Sequence, residues 1–535
     1  MDKKYYNDFF NKFGPDVHSD PVRFSEIAKL CRGSVLDVAC GTGTLADFYK
    51  GSYTGTDFSD VAIDSARNIR RKSAAFNVAD FTQPFEGYIP PFETIVLAEF
   101  LEHIENDKIV FENVSKLLMH NGRIIISVPN CDRVPDESHV RTFSIPELRA
   151  RFRPLGRVKF YNWAGASERV LMTIDVGQRN DDLLTLCIFA KNEEKGLETA
   201  VLSCIDFVDE IAIIVDSKST DKTLSLAKMY ADKWQGFDWQ NSFCKARNEV
   251  QALATYPWIL ALDGHEFVSN SANIKDFLLT DKDSFLVKIT LENNFSFLFP
   301  RVLRKEVLWD QDVHNRPLTK KSVSFDSFLI KHDRDNLQSK ESTEARNVQR
   351  DKMVNDIMNE KLKKNKGDIR AWFYLGQQNH INKNFKKAIY CYKKYLKYST
   401  NKQERWLAYY YIATLQLLMK KYLRCYFTLY KANSEIPDRW EVCKMLGVIH
   451  MMIGKFEKGA EFFVESLGIS NGHFLYHPEL RDDAQTWDFI GLCFQGMKKY
   501  DEARRAWKES LKLEKKTENR AILDSRLKIL ERMTE

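Results

Sequence analysis

The sequence predicts a multidomain fold in which two α/β domains precede an all-helical array. An apolar strand runs into a glycine turn at Val35–Gly43, and the next apolar strand ends at Asp57. A second group of apolar strands, each ending in polar or acidic residues, begins at Leu183. From residue 368 onward, small residues recur at regular spacing in amphipathic segments, a pattern typical of stacked helical hairpins.

Length and composition favour a soluble protein with three or four domains. The chain has 535 residues, and a single domain usually holds about 100 to 150. Hydrophobic residues make up 44% of it and charged residues 29%. The net charge of +6 is modest and spread along the chain, so nucleic acid is an improbable partner.

Cysteine usage and apolar runs indicate the compartment. The 10 cysteines are scattered without a CxxC pair, which argues against a disulfide framework and a zinc cluster. Apolar runs such as Ile211–Val215 are too short to cross a bilayer, and the N-terminus has no apolar signal core. We therefore expect a cytoplasmic protein without a membrane span.

The first strands predict an adenosyl site. Gly41 and Gly43 lack Cβ atoms, so the backbone of their turn can approach a ligand closely. Asp57, at the tip of the next parallel strand, is placed to accept both ribose hydroxyls. A third strand leads to Asp80, an acid suited to the adenine amine.

Two further segments extend this pattern. Residues Phe92–Ile104 and Asn121–Asn130 are similar to the fourth-strand and fifth-strand motifs of class I S-adenosylmethionine-dependent methyltransferases. The order of the motifs resembles that family over roughly residues 20 to 175 and implies a Rossmann-like α/β methyltransferase domain over 1–177. The resemblance also implies that S-adenosylmethionine contacts five residues: Asp37, Gly41, Gly43, Asp57 and Asp80.

A methyl acceptor that is a hydroxyl would benefit from a general base, in addition to alignment with the methyl group. His103 and His139 are the candidates, and a core or helix-capping role for His103 is an equal alternative. His139 belongs to Ser138–Ser144, a segment that in related enzymes borders the acceptor pocket. His139 is therefore the predicted catalytic residue.

The second group of strands predicts another crevice. Apolar runs end at Ala190, Asp216 and Asp263, and each is followed by polar or acidic residues. Parallel strands present their carboxyl ends at one edge of a sheet, so these groups should surround a common site.

Four ordered motifs in this region resemble family 2 glycosyltransferases with the GT-A fold: Lys191–Glu194, Val215–Thr223, Ala246–Asn248 and Leu262–Glu266. The resemblance implies an α/β glycosyltransferase domain over 183–340. It also implies that a nucleotide-sugar donor contacts Asn192, Asp216, Arg247 and Asp263.

The last motif departs from the family at His265, where a second Asp is usual. Imidazole suits Mn²⁺ and other transition metals, so Asp263 and His265 are predicted to bind a divalent cation, Mn²⁺ or Mg²⁺. Loss of the metal is the alternative. Glu266 is a reserve metal ligand or a structural acid. His314 corresponds to the family's late Val-His-Glu segment, which implies a metal ligand, a base or a hydrogen-bond donor to phosphate.

The C-terminal half is predicted to be helical. Residues 341–367 form an amphipathic linker helix, and 368–535 an all-α superhelix of tetratricopeptide repeats (TPR). Repeat units recur roughly 34 to 44 residues apart, and such arrays offer a concave groove for peptides. A cap that only stabilises the transferase is the alternative.

The combination predicts a bifunctional enzyme that transfers a sugar to a polypeptide or glycan and methylates the product. The alternative is a TPR scaffold in which one nucleotide-binding domain is vestigial.

Overall fold

The computed structural model describes residues 3–14, 20–84, 90–291, 296–312, 315–333, 340–470 and 481–534. The chain divides into two compact units, Met1–Ser339 and Lys340–Glu535. The first unit contains both α/β domains, and the second contains the helical array. The predicted catalytic residue His314 lies outside the described residues.

The first α/β domain is built on a seven-stranded sheet. Its strands are β1 (Val35–Val38), β2 (Tyr53–Asp57), β3 (Ala75–Val78), β4 (Phe92–Ala98), β5 (Leu118–Pro129), β6 (Gly156–Phe160) and β7 (Arg169–Val176). Their order is β3-β2-β1-β4-β5-β7-β6, and β7 runs antiparallel to both of its neighbours. The predicted glycine turn follows β1 at the centre of the sheet.

Helices cover both faces of this sheet: α1 (Lys3–Phe13), α2 (Pro21–Leu30), α3 (Leu45–Phe48), α4 (Asp60–Ile69), α5 (Lys108–Leu117) and α6 (Ile145–Phe152). Side-chain caps fix where three of them begin. Asp20 and Ser59 accept backbone N–H bonds at the starts of α2 and α4, and Ser144 with Glu147 forms a capping box at α6. These caps position the loops between strand and helix, which is where the predicted site residues lie.

The second α/β domain contains an eight-stranded sheet and a separate two-stranded one. Its strands are β8 (Leu184–Ala190), β9 (Glu210–Asp216), β10 (Lys233–Phe237), β11 (Trp258–Asp263), β12 (Glu266–Asn270), β13 (Ser284–Thr290), β14 (Ser296–Arg304), β15 (Trp309–Asp310), β16 (Arg316–Pro317) and β17 (Ser322–His332). The helices are α7 (Leu197–Leu202), α8 (Thr223–Tyr230) and α9 (Phe243–Leu253).

The order of the large sheet is β10-β9-β8-β11-β14-β13-β17-β12, and β15 pairs with β16. Strands β10, β9, β8 and β11 are parallel, whereas β14 runs antiparallel to β11. The three strands predicted from sequence are therefore adjacent, and their carboxyl ends lie at one edge.

The two α/β domains share one apolar core and a polar seam. Within the seam, the Asn130 amide donates to the Tyr230 hydroxyl at 3.1 Å, and that hydroxyl donates to Glu198 at 2.7 Å. Arg133 pairs with the same Glu198 oxygen at 2.8 Å, and Arg149 pairs with a carboxylate of the other domain. Continuous apolar packing with charged pairs at its edge makes the two domains one body.

A cavity of about 970 Å³ lies along the seam, near the amino ends of β8 and β9. Several charged residues that line it are paired, such as Arg153 with Asp182 and Lys275 with Asp209 at 2.6 Å. None of the predicted site residues lines this cavity.

The second unit begins with α10 (Lys340–Lys364), which spans most of the predicted linker. The described residues of this unit form nine further helices: α11 (Ile369–Ile381), α12 (Phe385–Tyr398), α13 (Lys402–Leu418), α14 (Tyr422–Glu435), α15 (Trp440–Met452), α16 (Phe456–Gly468), α17 (Asp483–Gly496), α18 (Tyr500–Leu513) and α19 (Thr517–Thr534). Helix α10 buries Val354, Met358 and Leu362 and packs on α11, so it is part of the helical unit.

Close helix contacts explain the small residues of the array. The paired helices α11–α12, α15–α16 and α17–α18 each bring a glycine against an aromatic ring: Gly376 on Tyr392, Gly447 on Phe463 and Gly491 on Trp507. A Cβ on Gly376 would lie 2.6 Å from Cε1 of Tyr392. The two helices could not approach this closely with a larger residue at that position.

None of the described helices is both long and apolar enough to cross a bilayer.

We expect Gly376→Ala to destabilise the protein although alanine favours helices. The gain in helix propensity is about 1 kcal/mol, whereas overpacking costs about 1 to 3 kcal/mol. The Tyr392 ring is fully buried, so it cannot move aside into solvent. Urea unfolding followed by circular dichroism measures the difference. Gly468→Ala is the matched control, because a Cβ there meets no atom within 4 Å. Equal stability of the two variants would contradict the proposed helix contact.

Candidate active sites

The first site is a cavity of about 400 Å³ at the carboxyl ends of β1, β2 and β4. Asp37, Gly41 and Asp57 line it as predicted. Gly43 has a φ of +72°, and a Cβ there would collide with the ring of Phe76. Gly43 therefore shapes the turn by close packing and does not line the cavity.

Asp57 fixes the turn to the second strand. One carboxylate oxygen accepts the N–H of Gly41 and the other accepts the N–H of Ser59, both at 2.9 Å. Burial raises the pKa of Asp57, and the backbone donors oppose that shift. The carboxylate is thus held in a single orientation at the rim of the cavity.

The two other predicted acids have different surroundings. Asp37 is buried and accepts a 2.6 Å hydrogen bond from the Tyr53 hydroxyl, and burial raises the pKa of Asp37 to about 7. Asp80 is exposed, accepts bonds from the N–H and the hydroxyl of Thr82, and is absent from the cavity lining.

Both predicted histidines line the cavity. The ring centroids of His103 and His139 are 5.0 Å apart. The N–H of Val140 donates to the carbonyl of Glu102 at 2.9 Å, which holds the segment of His139 against the turn Leu101–His103. Burial lowers the pKa of His103.

A charged cluster on the same wall was not predicted from the sequence. Glu99, at a φ of +50°, accepts a 2.6 Å bond from Ser127 and a 3.0 Å bond from Arg169. Arg23 lies 3.3 Å from the same carboxylate. These three partners come from three separate elements, β5, β7 and α2, so no local spacing in the sequence reveals the cluster.

The second site lies where β8, β9 and β11 end. Asp216 is buried, with one oxygen 2.7 Å from Nζ of Lys191 and the other accepting the N–H of Lys218 at 3.0 Å. Asn192, at a φ of +52°, accepts the N–H of Thr220 at 2.8 Å. Asn192 thereby ties the loop after β8 to the loop after β9.

Two arginines face Asp263. Arg247 donates to one carboxylate oxygen at 2.6 Å, and Arg301 lies 3.7 Å from the other. The guanidinium of Arg247 also covers the Trp309 ring at 4.6 Å, and burial lowers its pKa. Both arginines at this edge of the sheet are therefore close to a carboxylate.

His265 and Glu266 point into the protein. His265 Nδ1 lies 3.1 Å from a Glu193 oxygen, and Nε2 lies 3.0 Å from Nε2 of His332. One oxygen of Glu266 accepts the N–H of Asp263 at 2.9 Å, and the other accepts a 2.7 Å bond from Arg301. Glu266 therefore holds both the turn after β11 and the side chain of Arg301. Sequence reasoning missed His332, which lies at the end of β17 outside every motif.

Comparison with known proteins matches a different family profile to each of the two α/β domains. A family profile described as a methyltransferase domain matches residues 36–124, and one described as glycosyl transferase family 2 matches residues 185–328. The chain contains a methyltransferase domain and a family 2 glycosyltransferase domain. The predicted recognition of both domains is confirmed.

Curated relatives match parts of the chain. A TPR repeat-containing protein of Synechococcus elongatus is 37% identical over 83 residues, covering 16% of this chain and 20% of that protein. An uncharacterized glycosyltransferase of Rickettsia bellii is 36% identical over 87 residues, covering 15% of this chain and 27% of that protein. The chain thus spans roughly a quarter or less of these relatives. The first similarity and the helical hairpins confirm the predicted TPR array.

Solved structures also match parts of the chain. The crystal structure of MamA shares 19% identity, covers 32% of this chain and 91% of that chain, and has a TM-score of 0.27. The structure of YrrB, a TPR protein with an unusual peptide-binding site, shares 12% identity, covers 31% of this chain and 80% of that chain, and has a TM-score of 0.26.

We expect Asp57→Asn to weaken S-adenosylhomocysteine binding at least tenfold. The amide removes the charge and cannot accept both backbone N–H bonds, and hydrogen bonds to charged groups contribute about 1.5 to 3 kcal/mol. Calorimetric titration measures the affinity. Asp64→Asn, at an exposed position on α4, is the control. Unchanged affinity in Asp57→Asn would remove Asp57 from the cofactor site.

Proposed function

We propose that the protein is a bifunctional enzyme. Its glycosyltransferase domain transfers a sugar from a nucleotide-sugar donor to a polypeptide or glycan, and its methyltransferase domain methylates the product with S-adenosylmethionine. One observation carries the proposal: in both sheets, buried or partly buried acids at the strand tips, Asp57, Asp216 and Asp263, are held by partners at the open edge. Acids held in this way are set to orient a ligand.

In the methyltransferase domain, the cavity of about 400 Å³ is within the usual range for a small ligand. S-adenosylmethionine would supply a methyl group on a sulfonium. Asp57 and Asp37 line this cavity. In the proposal, Asp57 would accept the ribose hydroxyls and the backbone at Gly41 would approach the cofactor. Asp80 would have to release Thr82 to reach the adenine. His139, which also lines the cavity, would take up a hydroxyl proton of the acceptor.

In the glycosyltransferase domain, Asp216 and Asn192 would position the nucleoside end of the donor. Arg247 and Arg301 provide positive charge beside Asp263, where a departing diphosphate needs it. His314 is proposed as the base that deprotonates the acceptor, or as a hydrogen-bond donor to the phosphate. Glu266 acts by holding Arg301 and the turn after β11.

A divalent cation such as Mn²⁺ would be held at His265. Glu193 faces Nδ1 of His265, and Nε2, which lies 3.0 Å from Nε2 of His332, would exchange that contact for the cation. Asp263 joins this set if its carboxylate exchanges Arg247 for the cation. A cation there would neutralise charge on the diphosphate.

The helical array is proposed to bind the acceptor. TPR superhelices present a concave surface that suits an extended polypeptide. If one enzyme glycosylates and then methylates the same acceptor, that acceptor must bind in turn at both active sites.

The proposal is tested by incubating the purified protein with a panel of nucleotide sugars and Mn²⁺ and measuring donor hydrolysis. Binding of S-adenosylmethionine is measured in parallel. Hydrolysis of one donor together with cofactor binding supports the bifunctional enzyme. If the protein hydrolyses no donor, or does not bind the cofactor, one domain is vestigial and the protein is a TPR scaffold.

We expect donor hydrolysis to depend on metal, with Mn²⁺ more effective than Mg²⁺, because imidazole is a better ligand for the softer ion. His265→Asp should shift the preference toward Mg²⁺ and retain turnover, and His265→Ala should lose most of it. His120→Ala, at an exposed histidine of the other domain, is the control. Full activity in the presence of a chelator would contradict the metal requirement. Arg247, Arg301 or His314 would then stabilise the charge on the diphosphate.

A further inference from the structure

Three ligand-type side chains converge inside the methyltransferase cavity: Glu102, His103 and His139. One ligand atom from each lies within 4.8 Å of the other two. Among the described residues, no other group of three His, Cys, Asp or Glu side chains meets this criterion. All three line the cavity that also contains Asp57.

Glu102 accepts no side-chain hydrogen bond in the part of the chain that the structure describes. The residue is 1% exposed, and both of its carboxylate oxygens are buried. Burial raises the pKa of Glu102 well above its ordinary value. A buried carboxyl group in this position needs either a proton or a cation.

The neighbouring arginines are engaged elsewhere. Arg23 and Arg169 lie 3.3 Å and 3.0 Å from the same oxygen of Glu99, and Ser127 donates to the other oxygen. Glu99 therefore has three partners on the same wall where Glu102 has none.

The contacts of His103 suit a metal ligand. His103 Nδ1 lies 3.1 Å from both the carbonyl oxygen and the hydroxyl oxygen of Ser138, and that hydroxyl donates to Asp136. An Nδ1–H donated to Ser138 leaves the lone pair of Nε2 for a metal. The backbone bond from Val140 to Glu102 holds His139 within the cluster.

We propose that Glu102, His103 and His139 bind a divalent transition-metal cation in the methyltransferase cavity. Two imidazole nitrogens and one carboxylate oxygen suit Zn²⁺, Mn²⁺ or Fe²⁺ and leave coordination positions open. An open position beside the methyl donor fits an oxygen of the acceptor. The substrate class that we propose is a compound with a hydroxyl group, such as a sugar, whose acidity a bound cation increases.

This inference rests on the proposed methyl transfer. The cation lowers the pKa of the bound hydroxyl, whose proton goes to solvent. The oxygen attacks the methyl carbon, the O–C bond forms while the S–C bond breaks, and S-adenosylhomocysteine leaves. In this state His139 is a ligand and not the base.

Metal binding is tested on the full chain after removal of metal with a chelator. Zn²⁺ and Mn²⁺ are titrated by calorimetry, and elemental analysis gives the stoichiometry. We expect Glu102→Gln and His139→Asn each to weaken the binding of one metal ion per chain at least tenfold. His120→Asn, the exposed control, should leave the binding of that ion unchanged. His265→Ala should also leave it unchanged, which separates this site from the glycosyltransferase site.

Thermal unfolding provides a second readout. A cation that binds only the folded protein stabilises it against heat, and Glu102→Gln should lose this effect. Adding Zn²⁺ should raise the midpoint of wild type and not that of the variant.

Two results would overturn the proposal: no binding by wild type, or equal binding by Glu102→Gln and wild type. Greater stability of Glu102→Gln without any metal binding would make Glu102 a buried neutral acid. Binding of S-adenosylmethionine by the wild-type protein distinguishes the two failures. If wild type does not bind it, the methyltransferase proposal is wrong. If wild type binds it but binds no cation at Glu102, only the cation site is wrong.

Discussion

Acidic side chains at the ends of buried strands need partners, because burial penalises their charged form. Both α/β domains meet this requirement with groups from the adjoining loop or helix. Backbone amides hold Asp57, Lys191 pairs with Asp216, and Arg247 pairs with Asp263. Each partner also fixes the loop that supplies it. The geometry of both sites therefore follows from neutralising a few strand-tip acids, and Glu102 is notable as an acid on the same edge that the described residues leave without a partner.

The two α/β domains are joined within one folded unit. The apolar core continues from the first sheet to the second, and the hydroxyl of Tyr230 links Asn130 to Glu198 across the seam. Asn130 follows β5 next to the segment that carries His139. Tyr230 ends α8, the helix that follows the loop after Asp216. The walls of the two sites are thus connected through a few buried side chains.

The sequence predicted those parts of the fold that depend on short-range patterns. Apolar strands ending in glycine turns or acids located β1, β2, β8, β9 and β11, and small residues of the array marked close helix contacts. Contacts between distant segments were not predictable, because nothing in the spacing specifies them. The pairing of His265 with His332, the engagement of Glu266 by Arg301, and the packing of α10 on α11 all belong to this class.

The shared core also has a thermodynamic consequence. When two domains are joined by continuous apolar packing, neither can unfold without exposing surface of the other. A ligand bound to one of them adds its binding free energy to the folded state of both. A ligand in the cavity beside Asp57 would thus protect the second sheet against denaturation, and a ligand beside Asp216 would protect the first. Heat or denaturant then unfolds both domains together, at a midpoint that each ligand raises according to its concentration relative to its dissociation constant.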